Sequence, residues 1–290
     1  MSATIHFRAC GGLGNQLFQY AAARALSIRS GAGVAVDRSW YDALAPGVTP
    51  RAFELSRYPL PLRDSTSAER LRGRLVAPRA GRSLAPLVGM RAVVESADAP
   101  LPPPRVAGSA YLVGYWQDER CFADVGDTLR RELVPTAPPG TEDEAVLRAI
   151  EAGESVSVHV RRGDYVTDTA AAARHGTCPS TYYARAMERI AARVADPAFF
   201  IFSDDPVWTA DNIRAPGPLR HVRHNPPELA FQDLRLMAAC RHHVIANSSF
   251  SWWGAWLAGA RGGIVIAPSR WFAAGGGDRI VPGRWERLGP

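Results

Sequence analysis

The sequence predicts an α/β protein in two halves, each a parallel sheet with helices on its faces, and three observations predict it. A short apolar strand runs into a glycine-rich turn and then an apolar helix at the start of the chain. A Pro-rich segment, Pro135–Gly140 (PTAPPG), reads as a linker. Beyond it, β-branched and aromatic runs alternate with helix-length amphipathic segments, the pattern of parallel strands joined by helical crossovers. The 290 residues are enough for two cores, and the expected domains are 1–138 and 139–290.

In chain order, Ile5–Ala9 reads as a strand and Gly11-Gly12-Leu13-Gly14-Asn15-Gln16 as the turn. A helix is expected from about Leu17 to Ser27, then a strand at Val34–Val36. The turn lacks the third glycine of a dinucleotide fingerprint, because Leu17 stands there. Residues 46–110 are weakly periodic and rich in Pro, Gly and Arg, and read as irregular with some helix; Leu101-Pro102-Pro103-Pro104 excludes regular structure locally. Tyr111–Gly114 reads as a strand and Phe122–Leu133 as a helix. After the linker, Ser155–Val160 puts three valines on one face and Ser157 and His159 on the other. A helix over Thr181–Val194 aligns Tyr183, Met187, Ile190 and Val194. Phe199–Phe202, His243–Ala246 and Gly263–Ala267 read as strands, and Glu228–Cys240 and Trp252–Ala260 as helices.

Composition excludes several chemistries. Hydrophobic residues make up 47% and charged residues 21%, a globular balance. All 34 basic residues are arginine, so no Walker A lysine, Schiff-base lysine or lysine general base can exist. Any anion must be held by Arg or by backbone N–H groups. No basic run is interleaved with aromatics, as nucleic-acid sites require. Four scattered cysteines form no C-x-x-C pair, which disfavours a zinc site or a disulfide framework. The N-terminus has no secretory apolar stretch, and the apolar run from Trp252 is broken by Arg261 and glycines. The expected setting is soluble and cytoplasmic. The arginine-rich 63–91 stretch reads either as a surface against anionic lipid or, more blandly, as a solvated charged loop.

Three strands of the second half end in polar clusters, where open parallel sheets bind ligands. Val158-His159-Val160 leads into Arg161-Arg162-Gly163-Asp164, Phe202 into Ser203-Asp204-Asp205, and Ala246 into Asn247-Ser248-Ser249-Phe250. His159 is either a satisfied core histidine or, beside Arg161, part of a diphosphate site with Asp164 buttressing an arginine. Among Ser203, Asp204 and Asp205, one Asp caps the next helix ahead of Pro206 and the other contacts ligand. No D-x-D spacing occurs, which disfavours a metal–diphosphate clamp. The Asn247–Ser249 turn is either a serine cap or an anion site at a helix start. Trp252, Trp253 and Trp256 read as core, while Phe250 could cover a ligand. Asp233, in an otherwise apolar helix, is either exposed or pairs with a specific donor such as the N1–H and N2–H₂ edge of guanine.

Taken together, Gly11–Gln16, His159–Asp164, Phe202–Asp205 and Asn247–Trp253, with Gly114-Tyr115-Trp116-Gln117 and Thr181-Tyr182-Tyr183 between them, resemble the motifs of the bacterial α-1,2-fucosyltransferases of glycosyltransferase family 11. The likeness spans nearly the whole chain and is weakest over residues 40–105. It implies a GT-B-type architecture, two Rossmann-like domains facing across a cleft, with the acceptor on the first half and the donor on the second. It implies metal-independent, inverting transfer of L-fucose from GDP-β-L-fucose to the 2-hydroxyl of a terminal galactose in a β-galactoside, with no other cofactor. By the same resemblance Arg161 stabilises the departing GDP and His159 and Asp233 contact the nucleotide. Ser248 and Ser249, with Arg162, Ser203, Asp204, Asn247 and Phe250 around them, bind the donor. Gly14 and Asn15 are the first half's binding residues. Asp164 is either the catalytic base or an orienter of the arginines, with Asp168 a weaker base candidate. The resemblance also suggests glycan synthesis near the inner face of a membrane. The competing classes are a fucosyltransferase of another linkage, a non-catalytic nucleotide-sugar or glycan binder, and, distantly, a metal-dependent phosphohydrolase using Ser203–Asp205.

Overall fold

The computed structural model describes residues 3–42, 49–96, 101–163, 166, 168–259 and 262–289. The chain divides into two compact units, Met1–Val134 and Pro135–Pro290. Each is an open sheet in which every paired strand is parallel. No helix among the described residues is long and apolar enough to cross a membrane.

In the first unit the strands are β1 (Thr4–Arg8), β2 (Gly33–Asp37), β3 (Arg63–Asp64), β4 (Met90–Val94) and β5 (Ser109–Val113), in the spatial order β3-β2-β1-β5-β4. Helix α1 (Leu13–Ser30) joins β1 to β2 and starts four residues earlier than its apolar run suggests. Its first turn is made by the glycine-rich motif itself, with Gly12 at the N-cap and Gly31 closing the far end at φ 65°. Thirteen of its residues are buried, so its sequence is apolar all round rather than striped. Beyond the short α2 (Ser39–Asp42), the stretch expected to be irregular contains β3, α3 (Ser67–Val76), α4 (Ala85–Val88) and β4. These elements escape a periodicity reading because β3 has two exposed residues and α3 buries only Gly73 and Val76. Thr66 and Glu69 close a capping box on α3, which fixes its start without any apolar stripe. The expected helix over Phe122–Leu133 is shorter, α5 (Gly126–Glu132), preceded by two 3₁₀ turns. Phe122, fully buried against Phe18, turns the chain there with φ −147°.

The second unit contains α6 (Thr141–Glu151), β6 (Ser155–Val160), α7 (Thr169–His175), α8 (Ser180–Ala191), β7 (Ala198–Ser203), α9 (Pro206–Asn212), β8 (Leu219–Val222), α10 (Ala230–Ala239), β9 (His242–Val244), α11 (Ser249–Ala258), β10 (Val265–Pro268) and β11 (Glu286–Leu288). The sheet order is β11-β10-β9-β6-β7-β8. The chain runs outward from β6 through β7 to β8, then returns to build β9, β10 and β11 on the other side. The order therefore reverses between β6 and β9, the position at which open parallel sheets bind ligands. The valines of β6 pack with Tyr183, Met187 and Ile190 of α8 on one face. On the opposite face Phe200 and Phe202 of β7 pack with Leu236 and Met237 of α10, with Phe250 against the same cluster. Trp252, Trp253 and Trp256 are core, as their helical spacing suggests.

Helix α3 lies so close to its sheet that a Cβ on Gly73 would stand 2.3 Å from the Tyr111 ring. Gly73→Ala is therefore expected to lower stability by about 1–3 kcal/mol despite the better helix propensity of alanine. The shift in the urea unfolding midpoint measures this, and an unchanged or raised midpoint contradicts it.

Candidate functional site

Parallel strands bring all their carboxyl ends to one edge, so the polar clusters after β6, β7, β8 and β9 share that edge by topology. Arg161 leaves the end of β6, and its Nη1 lies 2.8 Å from Asp204 Oδ2 beyond the neighbouring strand β7. The other oxygen of Asp204 accepts the backbone N–H of Arg162 at 2.9 Å. Gly163 crosses directly above this carboxylate: a Cβ there would meet Asp204 Oδ2 at 2.3 Å. One carboxylate thus fixes both the guanidinium of Arg161 and the backbone of the loop that carries it.

The adjacent Asp205 does the expected capping, its Oδ1 accepting the N–H of Trp208 at 3.0 Å. Its Oδ2 lies 3.2 Å from Arg162 Nε, and the Arg162 guanidinium stacks 4.1 Å above the Trp208 ring. Ser203 Oγ accepts the Asp205 N–H at 3.0 Å and shapes that turn. The carboxylates that hold the arginines therefore come from β7, about forty residues downstream in the chain. Asp164 and Tyr165 lie outside the described residues.

His159 is buried, and its ring centroid stands 5.5 Å from that of Phe250 in the first turn of α11. Burial, reinforced by the Arg161 charge, pushes its imidazole down to about 3, so it is neutral at physiological pH. Its Nδ1 is buried without a hydrogen-bond partner, an uncommon state for a native polar atom. This contact brings the β6 and β9 loops together at the switch point. Ser248 caps α11, its Oγ accepting the Phe250 N–H at 3.3 Å, and Ser249 and Phe250 are half-buried at the helix start. Asn247 points elsewhere: its amide donates to the carbonyls of His175 (2.9 Å), Gly176 (3.3 Å) and Trp271 (3.2 Å). It is a buried tie between loops.

Asp233, in the first turn of α10, joins a network that sequence reading did not find. Asn225 Nδ2 donates to Asp233 Oδ1 at 2.8 Å and to Asp143 Oδ1 at 2.9 Å. Asp143 Oδ1 also meets His224 Nε2 at 2.8 Å, and its Oδ2 accepts the Gly140 N–H at 2.9 Å. Burial works against charge on Asp143, but Asn225, His224 and Gly140 outweigh it and hold its carboxyl below the usual range. Asp233 has fewer donors, and burial pushes it up to about 6. His224 and Asn225 follow β8, so the network anchors Asp233 to the same sheet edge. The only sequence signal was the polar run His224-Asn225 after a strand too short to stand out.

In the first unit the corresponding edge is formed by the glycine turn and the Gly114–Gln117 loop. Gln16 ties the turn down, donating to the carbonyls of Gly11 (3.0 Å) and Ala52 (2.8 Å) and accepting the Glu54 N–H (2.8 Å). Gly14 is buried in the first turn of α1. Asn15 Oδ1 accepts from Gln117 Nε2 at 2.8 Å, which ties the glycine turn to the Gly114–Gln117 loop. Trp116 holds a left-handed φ of 55°, costly for a bulky residue. Glu95 Oε2 secures it by accepting the N–H groups of Tyr115 (2.7 Å) and Trp116 (3.0 Å).

Among the described residues, no three His, Cys, Asp or Glu side chains are grouped to hold a metal ion. The second-unit edge instead presents an anchored guanidinium, a neutral imidazole, a serine-capped helix start and a carboxylate that is half-neutral near pH 6. That set suits an anionic ligand with hydrogen-bond donors at its other end.

Residues 106–276 match the model of Glycosyl transferase family 11. The chain is 31% identical to the Escherichia coli alpha-1,2-colitosyltransferase, over 91% of this chain and 91% of that protein. It is 30% identical to the E. coli O-antigen biosynthesis glycosyltransferase WbnK, over 96% and 98%. A galactoside alpha-(1,2)-fucosyltransferase 2 from Oryctolagus cuniculus is 26% identical over 87% of this chain and 66% of its own length. Among solved structures, a mutant of Arabidopsis thaliana FUT1 in complex with GDP aligns with a TM-score of 0.51 at 12% identity, over 97% of this chain and 72% of that one. That likeness shows the fold alone, the pair of parallel-sheet α/β units of the GT-B class. The protein is a glycosyltransferase and belongs to glycosyltransferase family 11.

Proposed function

We propose that the protein transfers L-fucose from GDP-β-L-fucose to the 2-hydroxyl of a terminal galactose, inverting the anomeric centre. The observation that carries the reading is the Arg161–Asp204 pair across the ends of β6 and β7, on the strand whose His159 meets Phe250 at the capped start of α11. Breaking the glycosidic bond leaves negative charge on the β-phosphate while positive charge grows on the sugar. A preorganised guanidinium, joined by N–H groups at a helix start, stabilises that leaving charge without reorganising. His159, being neutral, supplies a hydrogen bond rather than a second positive charge. Asp233 accepts the N1–H and N2–H₂ donors of guanine, which selects this base among purines. Asp204 and Asp205 hold Arg161 and Arg162, and Asp164, which follows them closely in the chain, is our candidate for taking the acceptor hydroxyl proton.

A second reading differs only in the sugar: the donor carries colitose, as the name of the E. coli relative suggests. Parallel assays of GDP-fucose and the colitosyl donor with β-galactosides, with linkage read by NMR, separate the two. The same assay with EDTA tests metal independence, and loss of turnover on chelation overturns it.

Arg161→Ala is expected to reduce turnover by at least about a hundredfold and to weaken GDP binding. Arg161→Lys should also be poor, because one ammonium cannot replace a fork held by Asp204. Near wild-type turnover in either variant removes Arg161 from the mechanism.

Asp164→Asn is expected to retain GDP affinity and lose transfer. Weakened GDP binding would instead return Asp164 to an orienting role.

For Asp233 two effects oppose each other. Its acceptor function requires the carboxylate, so GDP affinity should fall as pH drops through about 6, and Asp233→Asn should abolish that segment of the profile. A carboxyl whose folded value is raised binds its proton more tightly in the native state, so its charged form costs stability above the ordinary carboxylate range. Asp233→Asn should therefore stabilise the ligand-free protein at pH 7.5 by about 1–3 kcal/mol, a gain that vanishes towards pH 4. Thermal unfolding at both pH values and calorimetric GDP titrations check the pair of effects. An Asn variant that binds GDP normally dismisses Asp233 as the guanine reader.

A further inference from the structure

We propose that the outward face of residues 67–88 seats the protein on an anionic lipid bilayer. Helix α3 turns Gly73 and Val76 to its sheet. At 3.6 residues per turn, Leu71 and Leu75 fall on the opposite side, with Arg74 on one flank and Arg72 on the other. Both leucines are solvent-exposed, at 60% and 44%. The chain then folds back against this helix: a Cβ on Gly81 would lie 1.7 Å from the Leu75 carbonyl oxygen, so only glycine fits the approach. The following turns expose Leu84 and, at 83%, Leu87, the most exposed of the large hydrophobic side chains among the described residues.

Along this stretch of the chain the charge has one sign. Between Glu69 and Glu95 the sequence holds Arg70, Arg72, Arg74, Arg79, Arg82 and Arg91 and no acidic residue. Arg70 hydrogen-bonds the hydroxyl of Ser67, a neutral partner that leaves its charge in place, while Arg74 bonds the hydroxyl of Ser39 and its charge also acts on the Asp37 carboxylate. Exposed leucines flanked by arginines are the signature of a helix lying in a membrane interface, where apolar side chains enter the acyl boundary and the guanidinium groups meet phosphates. Two weak signals, shallow apolar insertion and charge attraction, combine into stable attachment. A second copy of the same face is disfavoured, because a twofold contact would place like charges together. None of these residues belongs to the site described above.

Flotation with vesicles of phosphatidylcholine mixed with phosphatidylglycerol, compared with phosphatidylcholine alone, tests the assignment on the full chain. The protein should bind the mixed vesicles and be released by salt. Leu71→Ser with Leu87→Ser should lower partition by at least about tenfold. Arg72→Gln and Arg82→Gln, which leave the apolar surface intact, should each lower it by about fivefold. All variants should keep wild-type transfer to a soluble acceptor, so a failure of the proposed reaction appears in that assay and not in flotation. Equal binding to neutral vesicles, no response to either class of substitution, or self-association of the wild type that the leucine variants abolish would each overturn the proposal, the last in favour of a second copy.

Discussion

A guanidinium that stabilises charge in a transition state must already be in place, because freezing a long side chain during the reaction would cost part of what it contributes. The Asp204–Arg161 pair meets that requirement, and much of the surrounding structure serves it. Asp204 is delivered by β7, which pairs along the length of β6 from Ser155↔Ala198 to Val160↔Ser203. Register therefore sets the distance between the charges. The Arg162 N–H and the Gly163 backbone close around the same carboxylate, and Asp205, through its cap on α9, stiffens the turn from the other side. In a chain without lysine, rigidity is the means by which a bidentate group is aimed.

Asp233 illustrates the opposite arrangement. Its neighbour Asp143 collects hydrogen bonds from Asn225, His224 and Gly140, while Asp233 shares only Asn225 and is left in a dry position that raises its pKa to about 6. Two carboxylates joined by one amide are thus driven apart in acidity by unequal hydrogen bonding. Burying an under-satisfied acceptor lowers stability, and such a cost is retained where the acceptor meets donors from a ligand. The orphaned Nδ1 of His159 and the left-handed Trp116 belong to the same class of local expense.

The surface carries its own division of labour. Helix α3 uses small residues inward, Gly73 against Tyr111, and spends its leucines outward. That inverts the usual pattern of a helix on a sheet and explains why the segment lacks an apolar stripe that a periodicity reading could find. Its helical character rests instead on the Thr66–Glu69 capping box, a local signal independent of burial.

The sequence by itself determined the α/β class, the polar strand ends and the capping role within Ser203–Asp205, because each is written in neighbouring residues. Periodicity, proline and capping chemistry act over a few positions and survive without tertiary context. It did not determine that Asp204 and Asp205 hold the arginines, that Asn247 binds loops together, or that Asp143 and Asn225 attend Asp233. Apart from Asn225–Asp233 and Asn247–Trp271, those contacts join residues some forty to eighty positions apart in the chain. Only strand order and register bring them within hydrogen-bond reach, and local pattern contains neither.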